Sequence, residues 1–206
     1  MTPFTSTLPV DADLSGLSDL VRGWTVALTG REGEGKGSGV IWHPDGLLVS
    51  NAHVVGESRR MRVTFGDGSE GEARVLARDD QRDIAILQAD SGGHPDMPVG
   101  NPDALRAGSI VLALGHPWGV PHALSLGVVH AIARDRRGRP RHIAADVRLA
   151  PGNSGGPLVD ATGRVVGINA MIVGGLGVAI PVNVVSRVIQ HAGAQGLLPY
   201  KVSWAA

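Results

Sequence analysis

The chain of 206 residues contains no cysteine, so its stability cannot come from disulfide bonds or from metal ions bound by thiolates. Aromatic residues make up only 3%, which leaves aliphatic side chains to supply most of the core. The formal net charge is zero, and no apolar run reaches the ~18 residues that a membrane-spanning helix needs. This composition indicates a globular protein, and we expect neither nucleic acid nor a membrane as partner.

The N-terminal residues 1–20 do not begin with basic residues followed by an apolar run, so the sequence predicts no signal peptide. The absence of cysteine gives no information about the redox compartment. We therefore expect a cytoplasmic location, or a periplasmic or secreted one if an original start of the protein has been removed.

Glycine (30 residues) and proline (13 residues) punctuate many short runs rich in valine and isoleucine, a pattern typical of strands joined by tight turns. Six such strands precede a loop at 91–104 and six follow it. The pattern predicts an all-β protein built from two six-stranded antiparallel barrels, with a short N-terminal helix near 13–21 and a C-terminal helix capped by Asn183. The expected bounds within a single domain of 1–206 are about 22–98 for the first barrel, 105–182 for the second and 183–194 for the C-terminal helix.

Ser154 lies in the stretch PGNSGGPL (151–158), among three glycines and two prolines. Three interpretations are open: an incidental serine in a turn, the G-x-S-x-G nucleophile elbow of the α/β-hydrolases, or a nucleophile whose partners lie upstream. The elbow needs a helix directly after the serine, and Gly155, Gly156 and Pro157 are poor residues for a first helical turn. It also needs an acid and then a histidine after the serine, where the remaining chain is short.

Upstream partners are available in the order histidine, aspartate, serine. His53 follows an apolar strand, and Asp83 directly precedes another. Each has an ordinary alternative, because a histidine beside apolar residues is more often structural and an aspartate in ARDDQRD (77–83) is more often a solvated charge. Asp83 differs from Asp79 and Asp80 in abutting the strand, which can fix the direction of its carboxylate.

Taken together, these segments resemble the chymotrypsin-like serine proteases and, within them, the HtrA/Deg group. They are GSGVIWHPDGLLVSNAHVV (37–55), DQRDIAIL (80–87) and PGNSGGPLVDATGRVVGIN (151–169), and GVAIP (177–181) is similar to the G-F-A-I-P of that group. The resemblance covers roughly residues 24–190. It implies the chymotrypsin/trypsin-like fold and a serine endopeptidase that acts on unfolded or extended polypeptides, with a role in protein quality control.

By this resemblance, Ser154 attacks the scissile carbonyl, His53 acts as the general base and Asp83 orients the imidazole. The oxyanion hole is expected from the backbone at Gly152, Asn153 and Ser154. No cofactor and no metal ion are implied. Many digestive relatives have an aspartate in place of Asn153 that pairs with a newly cut N-terminus, so we expect no such activation step here.

The sequence departs from the group just before the nucleophile, where AADVRLA (144–150) replaces Q-T-D-A-[AS]-I-N. Two hypotheses follow for the substrate-binding residues. Either Arg148 points away, and a small or medium aliphatic side chain is selected by Leu149, Ala170 and Val178. Or Arg148 reaches into the pocket and favours an acidic side chain, because a desolvated guanidinium requires a carboxylate.

Two further clusters have alternative interpretations. The five arginines of ARDRRGRPRH (133–142) are expected either as a solvated hairpin tip or, since the corresponding loop of the group lies near the active-site rim, as a device that steers acidic substrates. Nucleic-acid binding is disfavoured because no stacking aromatic residues accompany the arginines. His116 and His122 have a spacing that metal ligands can have, but no third ligand is near, so we expect a structural loop.

Proteins of the HtrA/Deg group often carry PDZ domains after the protease and often form trimers. No PDZ domain and no trimer-forming arm are recognisable here, so we expect the protease domain alone, as a monomer or a homotrimer. The alternative function is a catalytically silent module that binds peptides in the cleft or acts as a chaperone, because the sequence does not establish whether the oxyanion loop is ordered.

Overall fold

The computed structural model describes residues 10–30, 36–90, 92–120 and 122–199. Within this part of the chain, twelve strands form two closed six-stranded barrels, accompanied by three α-helices. All strand pairs within the barrels are antiparallel. The predicted fold class is therefore confirmed.

The first barrel is closed by hydrogen bonding in the order β1-β2-β3-β6-β5-β4 and back to β1. Its strands are β1 (Thr25–Thr29), β2 (Lys36–His43), β3 (Leu47–Ser50), β4 (Arg60–Thr64), β5 (Glu70–Asp79) and β6 (Ile84–Ala89). Successive side chains of a strand point to opposite faces, so β2 places Ile41 in the interior of the barrel and Val40 on its outer face.

The second barrel repeats the same strand order, with each strand number raised by six. Its strands are β7 (Ile110–Gly115), β8 (Ala123–Arg134), β9 (Pro140–Ala145), β10 (Pro157–Asp160), β11 (Val165–Val173) and β12 (Leu176–Pro181). No repeat is evident in the sequence, because each barrel needs only the same alternation of strands and turns and not the same residues.

Three apolar clusters stabilise the molecule. One fills each barrel, and the third, which we call the seam, lies between the barrels. Seam residues come from both sides, with Val40 and Ile86 from the first barrel and Leu114 and Ile168 from the second. All four are buried, and burying such a side chain contributes roughly 1.5–3 kcal/mol. The seam fixes the two barrels against each other.

Helices at both ends of the chain connect the barrels. Helix α1 (Val10–Arg22) packs against β1 and β7, and helix α3 (Val182–Ala194) packs against β9, β11, β12 and β6. The prediction that Asn183 caps α3 is wrong: Pro181 holds the N-cap position, and the Asn183 side chain instead donates to the carbonyl of Pro140, 3.3 Å away.

The third helix, α2 (Ala52–Val55), is a single turn that the sequence did not predict, since four residues are too few to show a period. None of the helices in the described residues is both long and apolar enough to cross a membrane.

Candidate active site

His53 is presented by α2, which begins two residues after β3 ends. Apolar neighbours on both sides, Ala52 and Val54, are buried, while the His53 side chain is half exposed. The turn therefore anchors its apolar face in the barrel and directs the imidazole outward.

Asp83, the residue directly before β6, binds the imidazole. Its Oδ2 lies 2.8 Å and its Oδ1 3.0 Å from Nδ1 of His53, and Oδ1 also accepts the backbone N–H of His53 at 3.0 Å. A carboxylate can only accept here, so Nδ1 carries the proton and Nε2 keeps a free lone pair. The structure thus gives His53 the tautomer that a general base requires.

The backbone of Asp83 adopts an uncommon conformation, with a positive φ of 53°. Asn51 stabilises it, because its Nδ2 donates to the carbonyl oxygen of Asp83 at 2.9 Å. No role of Asn51 follows from the sequence alone, although it lies only two residues before His53.

Ser154 lies in the turn that leads into β10. Glycines on either side have left-handed backbones, with φ of 108° at Gly152 and 87° at Gly155. A Cβ at Gly152 would collide with the carbonyl of His116, and one at Gly155 with the carbonyl of Ser38. The turn that exposes the serine therefore requires glycine at both positions.

Ser154 and His53 come from different barrels but lie close together. An ideal Cβ on Gly37 would be 2.7 Å from the side chain of Val54 and 3.0 Å from the carbonyl oxygen of Ser154. Gly37 thus lies between Val54, which is the neighbour of His53 in the chain, and Ser154. The hydroxyl of Ser154 donates to the carbonyl of Ala170 at 3.0 Å, and it makes no hydrogen bond with His53 in the described structure.

Two amide groups remain available beside Ser154. Among the described residues, no acceptor binds the N–H of Gly152 or that of Ser154. The N–H of Asn153 instead donates to the carbonyl of Ala150 at 2.9 Å. The free donors at the expected oxyanion hole are therefore those of Gly152 and Ser154, because the turn itself uses the donor of Asn153.

A cleft of about 490 Å³ opens next to the turn 151–156 that holds Ser154, which we call the nucleophile turn. It is lined by Pro117, Ala123, Leu124, Ser125, Asp146, Val147, Arg148, Leu149, Ala150, Asn153, Ile172 and Gly175. Of the four predicted substrate-binding residues, only Arg148 and Leu149 belong to this lining. Ala170 and Val178 are buried, at 3% and 9% exposure, because they point into the protein from β11 and β12.

The side chains of Arg148 and Leu149 differ in their surroundings. Arg148 is exposed and makes no ion pair among the described residues. Leu149 is partly buried against Gly177, where a Cβ would lie only 3.0 Å from its side chain. The cleft therefore combines an apolar wall at Leu149 and Ile172 with two exposed, opposite charges at Asp146 and Arg148.

His116 has a partner that the sequence did not reveal. Its Nδ1 lies 3.1 Å from the hydroxyl of Ser38 on β2, and its ring contacts His122 edge-on, with centroids 4.8 Å apart. Burial, together with the nearby ring of His122, lowers the pKa of His116 to about 4. No group of three or more potential metal-ligating side chains is found in the described residues.

The arginine-rich segment forms the tip of the β8–β9 hairpin. Arg134 pairs with Asp103 at 2.8 Å and Arg139 pairs with Asp135 at 2.8 Å. The other three arginines have exposed side chains without an ion pair in the described structure, and they are Arg136, Arg137 and Arg141.

Comparison with known proteins agrees with this geometry. The profile of the family described as "Trypsin-like peptidase domain" matches residues 37–168, which include His53, Asp83 and Ser154. The chain belongs to the trypsin-like peptidase domain family. Within this family it is similar to the "Putative serine protease HhoB" of Synechocystis sp. PCC 6803, with 34% identity over 176 residues, which are 81% of this chain and 42% of that protein.

A second trypsin-like relative is the "Probable periplasmic serine endoprotease DegP-like" of Pseudomonas fulva, 38% identical over 174 residues, or 81% of this chain and 36% of that protein. Among solved structures, "HtrA-type protease AlgW with decapeptide" superposes with a TM-score of 0.76 and 28% identity, covering 87% of this chain and 67% of that one. The resemblance to the HtrA/Deg group is confirmed. The chain spans about two fifths of the length of these two curated relatives.

The expectation of a cytoplasmic location is wrong. Several trypsin-like relatives, including the one from Pseudomonas fulva, are named as periplasmic enzymes. The expectation rested on the N-terminal residues of the sequence alone.

Proposed function

We propose that this chain is a serine endopeptidase that hydrolyses unfolded or extended polypeptides through an acyl-enzyme intermediate. The observation that supports it most is the pairing of Asp83 with Nδ1 of His53 close to a serine held in a glycine turn. The family membership of the chain points in the same direction. By analogy with the relatives, we also infer a periplasmic or extracellular location and a role in protein quality control.

The chemistry begins with a rotation of the Ser154 hydroxyl from the carbonyl of Ala170 toward Nε2 of His53. The imidazole then takes the hydroxyl proton as Oγ attacks the substrate carbonyl, and Asp83 stabilises the imidazolium that forms. The free N–H groups of Gly152 and Ser154 bind the developing oxyanion, and one such donor is typically worth ~3–4 kcal/mol in the transition state. His53 then returns its proton to the leaving amine, and water deprotonated by the same imidazole hydrolyses the acyl-enzyme and releases Ser154.

A catalytically silent peptide-binding or chaperone module is the second candidate. It is favoured by one observation, the hydrogen bond from Ser154 to Ala170 in place of one to His53. In this function the cleft binds an extended chain, and no bond is broken.

Digestion of casein and labelling by a fluorophosphonate separate the two candidates. We expect the unmodified protein to digest casein and to be labelled, and Ser154→Ala to lose both because the nucleophile is gone, a loss of roughly 10⁵-fold or more in kcat. The matched control is Ser186→Ala on α3, whose hydroxyl makes no hydrogen bond in the described structure. Digestion that persists in Ser154→Ala would contradict the proposal, and an unmodified protein that binds peptides without labelling would favour the silent module.

For specificity, we propose a small or medium aliphatic side chain before the cleaved bond. Leu149 and Ile172 supply an apolar wall, whereas a substrate carboxylate approaching Arg148 would also meet Asp146 in the same cleft. We expect peptides with valine at this position to have a higher kcat/KM than peptides with glutamate. A preference for glutamate that disappears in Arg148→Ala would instead support the acidic alternative.

The proposed partners are polypeptide substrates, without nucleic acid or membrane, and the proposed assembly is a monomer or a homotrimer. Mass measurement in solution distinguishes the two states. A cofactor is not part of the proposed mechanism, since the three side chains and two amides account for every proton and charge transferred.

A further inference from the structure

Ser38 lies on β2 of the first barrel, yet its polar atoms contact the nucleophile turn of the second. It is fully buried. Its backbone N–H donates to the carbonyl of Ser154 at 2.8 Å, and its hydroxyl donates to the carbonyl of Gly152 at 2.7 Å. Its own carbonyl accepts the hydroxyl of Ser50 at 2.7 Å. One residue of the first barrel thus binds the nucleophile turn at two points.

The hydroxyl of Ser38 uses its full hydrogen-bonding capacity. A serine hydroxyl has one proton to donate and two lone pairs that accept. The proton lies between Oγ and the carbonyl of Gly152, since two oxygens 2.7 Å apart need a hydrogen and only the hydroxyl has one. The lone pairs are then left for His116, whose backbone N–H is 3.0 Å away and whose Nδ1 is 3.1 Å away.

This arrangement determines the tautomer of His116. Because the Ser38 proton is already engaged, Nδ1 of His116 must be the donor. Burial lowers the pKa of His116, so the ring is neutral near pH 7 and its single proton is on Nδ1. Every donor and acceptor around the Ser38 hydroxyl is thereby assigned, and the network has one arrangement of hydrogens.

The network holds the peptide group between Gly152 and Asn153 at both ends. The carbonyl of Gly152 is bound by Ser38, and the N–H of Asn153 is bound by the carbonyl of Ala150. With this peptide fixed, the amides on either side of it, those of Gly152 and Ser154, keep their N–H groups free for an oxyanion. A rotation of the central peptide would alter both flanking amides at once, because they share its Cα atoms.

We propose that Ser38 is a positioning residue for the oxyanion hole, and that its hydroxyl, together with His116, holds the Gly152 amide and the Ser154 amide in the orientation that binds the transition state. The inference rests on the proposed endopeptidase function. It assigns no contact with substrate to Ser38 and acts entirely through the turn.

The test compares Ser38→Ala with Ser50→Ala. Both substitutions remove the hydroxyl of a fully buried serine, but the hydroxyl of Ser50 donates to the carbonyl of Ser38 beside Gly155 and, in the described structure, makes no hydrogen bond with Gly152 or His116. We expect Ser38→Ala to lower kcat roughly 10- to 100-fold with KM within about threefold, since removal of a whole oxyanion donor costs about 10²–10³. Affinity for a peptide boronic acid, which forms a tetrahedral adduct with serine, should fall by the same factor.

Ser50→Ala should lower the unfolding temperature by a similar amount and change kcat less than about threefold. If kcat and boronate affinity are the same in the two variants, the hydroxyl of Ser38 only fills space and the proposal is overturned. Should Ser38→Ala not fold, His116→Phe decides, because it keeps a planar aromatic side chain and removes the Nδ1 donor. An unchanged kcat in His116→Phe would then reject the proposal.

Failure of the endopeptidase function itself is recognised separately. In that case the unmodified protein neither digests casein nor reacts with the fluorophosphonate. Hydrogen–deuterium exchange over residues 150–156 then still tests the network, because exchange does not depend on catalysis. Faster exchange there in Ser38→Ala than in Ser50→Ala supports the proposal, and equal exchange refutes it.

Discussion

The orientation of one hydroxyl distinguishes the resting site from the reactive one. Ser154 donates to Ala170, and a change of rotamer about its Cα–Cβ bond carries Oγ from one staggered position to another. The rotation exchanges the hydrogen bond to Ala170 for one to His53. Each such bond has a net contribution to stability of about 1 kcal/mol. In the proposed mechanism, only a small free-energy difference therefore separates the resting orientation from the reactive one.

The depressed pKa of His116 leads to a prediction about stability. In the unfolded chain a histidine has a pKa of about 6.5, whereas burial lowers that of His116 to about 4. Between these values the unfolded state binds a proton that the folded state does not, so the free energy of unfolding falls as the pH decreases from 6.5 to 4. This residue alone can contribute up to about 3 kcal/mol to the fall.

The measurement is urea denaturation of the unmodified protein and of His116→Phe at several pH values in this window. We expect the slope of unfolding free energy against pH to be smaller in His116→Phe, whatever its stability at pH 7. Parallel slopes for the two proteins would show that His116 does not titrate in this way.

Residues with a local sequence signature could be predicted, and those defined only by distant contacts could not. His53, Asp83 and Ser154 each stand next to a strand in a recognisable segment. The bond between Ser38 and His116 joins residues 78 positions apart, and no pattern in either segment indicates it.

At the scale of secondary-structure elements, the β8–β9 hairpin has the clearest consequence for substrates. Among the residues that the structure describes, three of its five arginines have no carboxylate partner, namely Arg136, Arg137 and Arg141. Unpaired charges at an exposed tip attract oppositely charged molecules over about a Debye length, which is ~10 Å at 0.1 M salt. We propose that the hairpin steers acidic polypeptides, the alternative being a solvated turn.

We predict that kcat/KM for an acidic peptide falls several-fold as salt is raised from low to physiological concentration, because ions screen the arginines. The double variant Arg136→Gln and Arg137→Gln should lose most of this dependence. Exposed arginines of the first barrel provide the control in the variant Arg59→Gln and Arg62→Gln, which should keep it. If salt has no effect on the unmodified protein, the hairpin tip is only a solvated turn.

Elements with a clear period were predictable from sequence, and short or strained ones were not. The strands follow from short β-branched runs between glycine and proline, and the two long helices from their apolar faces. Helix α2 is a single turn and has no period. The start of α3 was misplaced because Asn183 is a strong N-cap type, whereas its side chain is engaged by the neighbouring hairpin.

At the scale of the whole molecule, the seam between the barrels determines the geometry of the site, since each barrel contributes part of it. Ile86 and Leu87 are adjacent on β6 and fully buried, but Ile86 faces the seam and Leu87 the interior of the first barrel. They form a matched pair for testing the two packing regions.

We predict that Ile86→Ala and Leu87→Ala each lower the free energy of unfolding by about 2–5 kcal/mol, the usual cost of such a cavity. At a temperature at which both variants are fully folded, Ile86→Ala should retain less activity, because a cavity in the seam loosens the nucleophile turn relative to His53. Peptide hydrolysis and thermal unfolding measure the two effects. Equal residual activities would mean that the seam does not control the site.

The two-barrel architecture was predictable because strand number and the central loop are visible in the sequence. The identical strand order of the two barrels was not predictable. It depends on pairing between β3 and β6, and between β9 and β12, and these strands are far apart in the sequence. The terminal helices pack across both barrels through their apolar surfaces. The sequence shows these surfaces but not which strands they contact.

The terminal helices cross in opposite directions: α1 precedes the first barrel but touches β7 of the second, and α3 follows the second but touches β6 of the first. A single cut in the stretch between β6 and β7 would therefore yield two fragments, and each would pack its terminal helix against a strand of the other. Such a nicked protein should migrate as one particle under native conditions and separate into two bands only after denaturation.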